Sequence, residues 1–498
     1  MFRVASTRFL LIALAAFLLL SFSAPFAQAQ LLVPVTPQSG TFSDGAAYLI
    51  EVPANWNGTL LLYSHGYASP FLPPNHFNLP LPPATDAGDP ATHDVLLNAG
   101  FALAGSSYSS NGWAIEDALR DQIEVLDTFN TFFPKPIATI AWGHSLGGII
   151  TAGLIQNNPG RFNAALPMCG VLSGGVATWN QALDSAFAFK ALLAPGSPLA
   201  VTNIGNNDAL ALVNFGTALN ILLAAQATPQ GRARLALSTA LGDTPGWFDP
   251  GAPEPAANDF ASQEFNQLQW AARVDFIFIF AFREELERRA GGNPSWNTGV
   301  DYRRQFEHSV DAAEVRALYK QAGLSLDDDL ETLNRAERIS ADPNAVAYLE
   351  KNIVFNGDIH IPVLSMHTEG DGLVTNQNES AYRNVVDDAG SERFLRQIFV
   401  HRAGHCAFSP AETLTAVGAL IDRLKTGRWP DLRPATLNAT AAAFGPLNVV
   451  QNAAGQIVPS TPSFFRFHPA RFLRPFDSTD AQRCAVGFDN ENVPCNIF

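Results

Sequence analysis

The chain carries little charge. Asp, Glu, Lys and Arg make up 15% of its 498 residues, and Lys and Arg are nowhere clustered into a basic block. A nucleic-acid backbone is held mainly by basic side chains, so nucleic acid is excluded as a partner. Acid exceeds base, 46 residues against 31, giving a formal charge of −15 that serves solubility. Cysteine is scarce. Cys169, Cys406, Cys484 and Cys495 match no zinc spacing, and four cysteines allow three pairings. Cys484 and Cys495 lie close together in a tail of weak periodicity, where a disulfide staple is expected. The scattered histidines lack metal-ligand spacing, and neither G-x-G-x-x-G nor a P-loop occurs, so no cofactor and no metal are expected. Internal repeats and low-complexity tracts are absent. Beyond the N-terminal segment, no run reads as transmembrane.

What is present begins with an export signal. Arg3 and Arg8 form a positive region, residues 9–20 are uninterruptedly apolar, and Ala27-Gln28-Ala29 supplies a small-x-small cleavage site. The apolar run is shorter than the roughly 20 residues that span a bilayer. Residues 1–29 therefore read as a signal peptide, with an uncleaved anchor as the other reading, and no cysteine follows to carry a lipid. The expectation is a secreted protein, extracellular or periplasmic, with no stable membrane anchor after cleavage.

With 47% apolar residues, the mature chain can bury a large core. Short apolar strands are predicted at residues 41–52, 58–64, 100–106, 138–142 and 162–168, with a long loop over 69–92. A helix is predicted from Trp113, where Ile115, Leu119, Ile123 and Leu126 share one face. This alternation argues for an α/β architecture, a mostly parallel sheet flanked by helices. It breaks off near residue 171 and resumes with strands at 361–366 and 394–400 and helices at 379–388 and 410–425. The intervening segment is helical by period at 209–225, 259–289, 312–322 and 326–339. It is too long for a loop and reads as a cap inserted after the strand that follows residue 160. The predicted organisation is a catalytic domain of residues 30–170 and 352–427, a helical cap of 171–351 and a C-terminal extension of 428–498.

The chemistry is concentrated in Gly143-His144-Ser145-Leu146-Gly147-Gly148, placed between a strand and a helix. A serine on a sharp strand-to-helix turn is lifted out of the backbone, and its neighbours two positions away must be small. This is the logic of the nucleophile elbow. Serine needs a base to take its proton and an acid to orient that base. Asp371, between two glycines just past the strand at 361–366, is the expected acid, with Glu369 second. His405, in the loop after the strand at 394–400, is the expected base. His401 competes but falls at the strand end, and His367 precedes the acid. Two backbone N–H groups are expected to hold the oxyanion, those of Leu146 and of Tyr67 in Ser64-His65-Gly66-Tyr67.

These signals, in this order, resemble the α/β-hydrolase superfamily over residues 41–170 and 352–427. The resemblance implies a sheet flanked by helices and acyl transfer to water through an acyl-serine, with Ser145, Asp371 and His405 as the triad. A partial likeness to tannase and feruloyl esterases adds a disulfide. Those proteins join cysteines beside the catalytic serine and histidine. Here Cys406 follows His405, but His144 precedes Ser145, and Cys169 ends the strand after the elbow helix. The likeness suggests a Cys169–Cys406 bond bracing the histidine loop, with two buried thiols as the alternative.

The resulting expectation is a secreted serine hydrolase acting on a small-molecule or polymer-derived carboxylic ester. A serine peptidase or aminopeptidase on the same fold is the alternative, and a catalytically silent binding protein is a third reading. A peptidase that takes free N-termini needs acidic groups in the pocket. Glu284, Glu285 and Glu287 are candidates, or they form a solvated helix face paired with Arg283, Arg288 and Arg289. The apolar run of residues 276–282 reads as cap core or as pocket lining. Residues 106–110 read as an ordinary polar loop or as a substrate contact.

Overall fold

The computed structural model describes residues 31–70, 81–205 and 207–485. The expected signal peptide and the expected Cys484–Cys495 pair fall outside the described side chains. The chain begins with strands β1 (Val35–Thr41), β2 (Ala47–Pro53) and β3 (Thr59–Ser64). Helix α1 (Pro90–Asn98), β4 (Ala102–Ser106), α2 (Ile115–Phe132), β5 (Ala138–His144), α3 (Leu146–Asn157) and β6 (Ala164–Met168) follow. After a long helical stretch come β7 (Val363–Gly370), α13 (Gln377–Asp388), β8 (Leu395–Ala403) and α14 (Pro410–Thr426).

The strands form one sheet in the order β1-β2-β4-β3-β5-β6-β7-β8, with β11 (Phe464–Phe465) added beyond β8. The pairs from β4 through β3 to β8 are parallel, while β1, β2 and β11 join antiparallel at the two edges. Successive side chains of a strand point to opposite faces. Leu60 and Leu62 accordingly join a cluster with Ile115 and Ile149, whereas Leu61 and Tyr63 join one with Trp142 and Leu420. Both faces are covered by helices. The architecture is the α/β-hydrolase fold, as the sequence led us to expect.

Between β6 and β7 the elements are helical among the described residues. They are α4 (Gly175–Leu193), α5 (Asp208–Ala225), α6 (Pro229–Ala240), α7 (Phe260–Trp270), α8 (Arg283–Ala290), α9 (Tyr302–Glu307), α10 (Ala312–Ala322), α11 (Leu326–Arg335) and α12 (Pro343–Lys351). The helix predicted over 259–289 is α7 and α8 joined through two π-helical turns, Ala271–Asp275 and Phe278–Phe282. Contrary to expectation, among the described residues one later segment is long and apolar enough to cross a membrane by length and composition. It is α5, a third of which is buried in the insertion. Its Asn214 is held by the backbone oxygens of Ala200 and Phe280.

The segment after α14 contributes α15 (Pro434–Ala442), the hairpin of β9 (Val449–Gln451) and β10 (Ile457–Pro459), the edge strand β11 and α16 (Ser478–Ala485). Two buried ion pairs tie it down. Arg402 of β8 makes a two-pronged pair with Glu412 at 2.6 and 3.0 Å and also donates to Ser460. Arg474 donates to both carboxylate oxygens of Asp184 on α4, at 2.8 and 2.7 Å.

Candidate active site

Ser145 stands between β5 and α3 with φ +60° and ψ −122°, a backbone conformation that side-chain-bearing residues rarely adopt. The turn is possible because its flanking positions are glycines. A Cβ on Gly147 would sit 1.9 Å from the carbonyl oxygen of Ser64, and one on Gly143 would sit 2.5 Å from the same atom. The end of β3 thus presses directly on the elbow. Leu146 opens α3, where the first N–H groups of a helix have no acceptor within it.

The three residues expected to meet do so. His405 Nε2 lies 2.7 Å from Ser145 Oγ, and His405 Nδ1 lies 2.8 Å from Asp371 Oδ2. A proton on Nδ1 satisfies both contacts, with the serine hydroxyl donating to Nε2. The other oxygen of Asp371 accepts the backbone N–H groups of Leu373 at 3.1 Å and Val374 at 3.0 Å. Burial acts to raise the Asp371 carboxyl, but its electrostatic and hydrogen-bond interactions with His405 and His367 outweigh it. The carboxyl is held below its ordinary value.

The part played by His367 was not legible in the sequence. It is fully buried on β7, with Nε2 3.6 Å from Asp371 Oδ2 and 2.8 Å from the Val374 oxygen. Its Nδ1 donates to Glu379 at 3.1 Å. Burial opposes its charge, yet the two carboxylates prevail and raise His367 to about 10. Two imidazoles therefore approach the same oxygen of Asp371, His405 at 2.8 Å and His367 at 3.6 Å.

The turn after β3 lies over the serine. A Cβ on Gly66 would be 3.5 Å from Ser145 Cβ and 3.9 Å from its Oγ. Tyr108 braces this turn, stacking on His65 at 3.9 Å between centroids and donating its hydroxyl to the His65 carbonyl at 2.9 Å. Gln122 of α2 donates to the Tyr63 carbonyl at 2.6 Å. Within the polar loop at 106–110, Tyr108 is thus a buried support of the turn.

Cys169 and Cys406 form a disulfide with a Cα separation of 5.4 Å. It joins the end of β6 to the residue after His405. Both cysteines have positive φ, +42° and +53°.

A small pocket, partly open to solvent, leads away from Ser145. Its wall is aromatic, with Tyr67, Trp113, Trp179 and Phe278, and Asp275 lies on it. The run at 276–282 therefore divides. Phe278 and Ile279 face the pocket, while Phe276 and Phe280 pack on Phe189 inside the insertion.

The remaining candidates lie elsewhere. Glu369 and His401 pair with each other. Glu284, Glu285 and Glu287 do not line the Ser145 pocket, and they are not a solvated face either, because all three are buried. Glu285 accepts the Trp113 N–H and pairs with Arg289 at 2.6 Å, Glu284 pairs with Arg288, and Glu287 accepts the N–H groups of Asn203 and Ile204. These carboxylates anchor α8 to its surroundings, a demand that helical spacing does not reveal. Arg283 pairs with none of them directly and donates to Ser295 and the Trp179 carbonyl.

Among the described residues, two clusters have cation-ligand chemistry, Glu51 with Asp86 and His93, and Glu254 with Glu369 and His401. In the first, His93 already pairs with Glu51 at 2.7 Å. In the second, His401 already pairs with Glu369.

Comparison with known proteins places these observations in context. No protein-family model matches the chain. The o-phthalyl amidase of Xanthobacter agilis is 30% identical over 438 residues, covering 82% of this chain and 92% of that protein. Among solved structures, feruloyl esterase B from Aspergillus oryzae matches 82% of this chain and 86% of its own, at 14% identity and a TM-score of 0.41. The cell-wall-degrading esterase LipA from Xanthomonas oryzae matches 83% and 94%, at 13% identity and a TM-score of 0.32. On the extent of the first likeness and on its own sheet topology, the chain belongs to the family of the Xanthobacter amidase and is a hydrolase of the α/β-hydrolase fold.

Proposed function

We propose that the protein is a serine hydrolase that cleaves carboxylic esters through an acyl-serine intermediate. The continuous contact from Ser145 through His405 to Asp371 carries this reading. In it, His405 Nε2 takes the serine proton as Oγ attacks the substrate carbonyl. The resulting oxyanion is held by the N–H groups of Leu146 and Tyr67. His405 then gives the proton to the leaving oxygen, and the alcohol departs. Water repeats the sequence, with His405 as base again, and the acid is released. Asp371 fixes the imidazole in the required tautomer and stabilises its charged form.

The aromatic pocket suits an apolar or aromatic acyl group. Amide cleavage is the second reading, supported by the kinship with an enzyme named as an amidase. The two readings share one mechanism, and esters are expected to react faster because an alkoxide leaves more readily than an amide nitrogen. The Cys169–Cys406 bond supports an exported protein, because disulfides persist in oxidising compartments.

A fluorophosphonate probe tests the mechanism. It is expected to label the wild type at Ser145 and to leave Ser145→Ala unlabelled. Turnover of p-nitrophenyl esters is expected to exceed that of matched anilides. An unlabelled wild type would remove the serine mechanism, and anilide turnover with negligible ester turnover would reverse the order of the two readings.

A further inference from the structure

A second cavity reaches the triad through residues that the first does not touch. His405, Gly66 and His144 line it, whereas Ser145, Leu146 and Tyr67 line the first. It is the larger of the two. Three further parts of the chain build its wall. Phe248 and Trp270 come from the insertion, Phe408 from the histidine loop, and Val449 and Ala453 from the hairpin of the C-terminal extension.

We propose that this second cavity holds the leaving group, so that the enzyme releases alcohols, or amines, that carry an aromatic ring. This deepens the hydrolase reading by naming the class of the departing half, and it rests on that reading for the bond that breaks.

Proton transfer decides which cavity takes which half of the substrate. When Oγ of Ser145 adds to the carbonyl, its proton passes to His405 Nε2, 2.7 Å away. Collapse of the tetrahedral adduct breaks the bond from carbon to the leaving oxygen or nitrogen, which keeps the electron pair and takes that proton. The departing atom must therefore lie within hydrogen-bond reach of Nε2. The body attached to it extends into the cavity that His405 lines. The acyl carbon stays bonded to Oγ, and its body stays in the cavity that Ser145 lines.

The wall shows what the departing body is. Phe248 and Trp270 meet edge to face at 5.0 Å between centroids. The His144 ring lies 5.8 Å from that of Tyr63 and 6.3 Å from that of Phe408. Burial first, and the His405 charge second, push His144 down to about 4, so its ring is neutral. The Asp89 side chain is already engaged at the start of α1, accepting the N–H and hydroxyl of Thr92 at 2.8 and 2.6 Å. Among the described residues, no Lys or Arg lines the cavity. The wall thus offers rings rather than a free charge, and rings pack offset or edge to face on another ring. It is also held in place. Ala453 N–H donates to Asp249 at 3.0 Å, and Arg273 donates to the Ala453 carbonyl at 2.8 Å, which pins the hairpin to the insertion. A Cβ on Gly372 would sit 2.4 Å from the Trp270 ring, so that ring is seated on the residue beside Asp371.

The test compares methyl benzoate with benzyl benzoate, whose alcohols differ little in acidity. Burial of the benzyl ring is expected to raise kcat/KM about tenfold or more over the methyl ester. Ala453→Trp places an indole on the cavity wall and is expected to bring that ratio toward one. The ratio of benzyl benzoate to benzyl acetate turnover reports the acyl side and is expected to be the same in wild type and variant. Binding supplies a readout independent of hydrolysis. In calorimetric titration of the full protein, 2-naphthylmethanol is expected to bind the wild type about tenfold more tightly than Ala453→Trp. The wild-type ester ratio requires no variant, so poor folding of the substitution does not blunt the test.

Equal kcat/KM for the two benzoates in the wild type would overturn the proposal. A changed acyl ratio beside an unchanged alcohol ratio in Ala453→Trp would overturn it too, by exchanging the roles of the two cavities. So would equally tight 2-naphthylmethanol binding in both proteins. Fluorophosphonate labelling is scored separately. Its failure would remove the serine mechanism and leave the alcohol binding standing.

Discussion

Removing the Cys169–Cys406 bond separates two consequences of one contact. The bond closes a loop of sequence separation 237. The chain-entropy relation for a loop of that length gives about 5 kcal/mol, with 2–4 kcal/mol the commoner measured range. The histidine loop has other restraints. Gly404 N–H donates to the Gly370 carbonyl at 2.9 Å, the Thr368 hydroxyl donates to the Gly404 carbonyl at 2.8 Å, and Arg402 donates to the Ala407 carbonyl at 2.8 Å. His405 should therefore loosen rather than leave its place. A misplacement approaching an ångström costs up to about a hundredfold, so kcat is expected to fall about tenfold. Equilibrium guanidinium unfolding of Cys169→Ala/Cys406→Ala should show a loss of about 2–5 kcal/mol. The buried Cys169 leaves a small void when truncated, and reduction of the wild type controls for this because both sulfurs remain. Dithiothreitol should lower the wild-type kcat toward that of the double variant and change the double variant far less. An unfolding midpoint and a kcat indistinguishable from wild type would refute the view that the bond braces the site.

Asp371→Asn keeps the shape but favours the wrong tautomer of His405, and kcat is expected to fall by about 10⁴ in an ester assay. His367→Gln tests the buried imidazole between Asp371 and Glu379. The folded state raises this group to about 10, against about 6.5 in an unfolded chain. Its stabilising effect is therefore complete below pH 6.5 and is lost as the pH climbs through 10. Denaturation midpoints across that range should fall in the wild type and stay flatter in the variant. Tyr108→Phe removes the hydroxyl donated to the His65 carbonyl and keeps the ring stacked. It is expected to lower kcat about three- to tenfold, as one net hydrogen bond allows, with little change in KM. Equal losses in KM and kcat would point to the substrate rather than to the turn.

The parts of the fold that were legible are those whose signal is local. The elbow could be read because close approach to the Ser64 carbonyl forces glycine at 143 and 147. Asp371 and His405 could be read from their places after two strands. The two competitors, Glu369 and His401, form a separate pair that only the folded structure reveals. Strand β1 and helix α1 were missed. The first has a polar sequence that does not alternate, and the second begins with Asp89 and Pro90 inside what read as a loop. Strand β11, two residues long, has no period to detect. Asp275 has no motif to mark it, because it sits at the edge of the apolar run at 276–282.

The Arg474–Asp184 pair joins residues 290 positions apart. Asp184 lies on α4, the helix that also brings Trp179 to the pocket. In the folded protein Tyr302 and Gln305 also donate to this buried carboxylate, and Arg474 brings the charge that balances it. During synthesis the ribosome would emit the elbow, the insertion and the histidine loop well before the arginine. A chain ending before residue 474 would thus retain Ser145, Asp371 and His405 but leave the Asp184 carboxylate of α4 without its cationic partner.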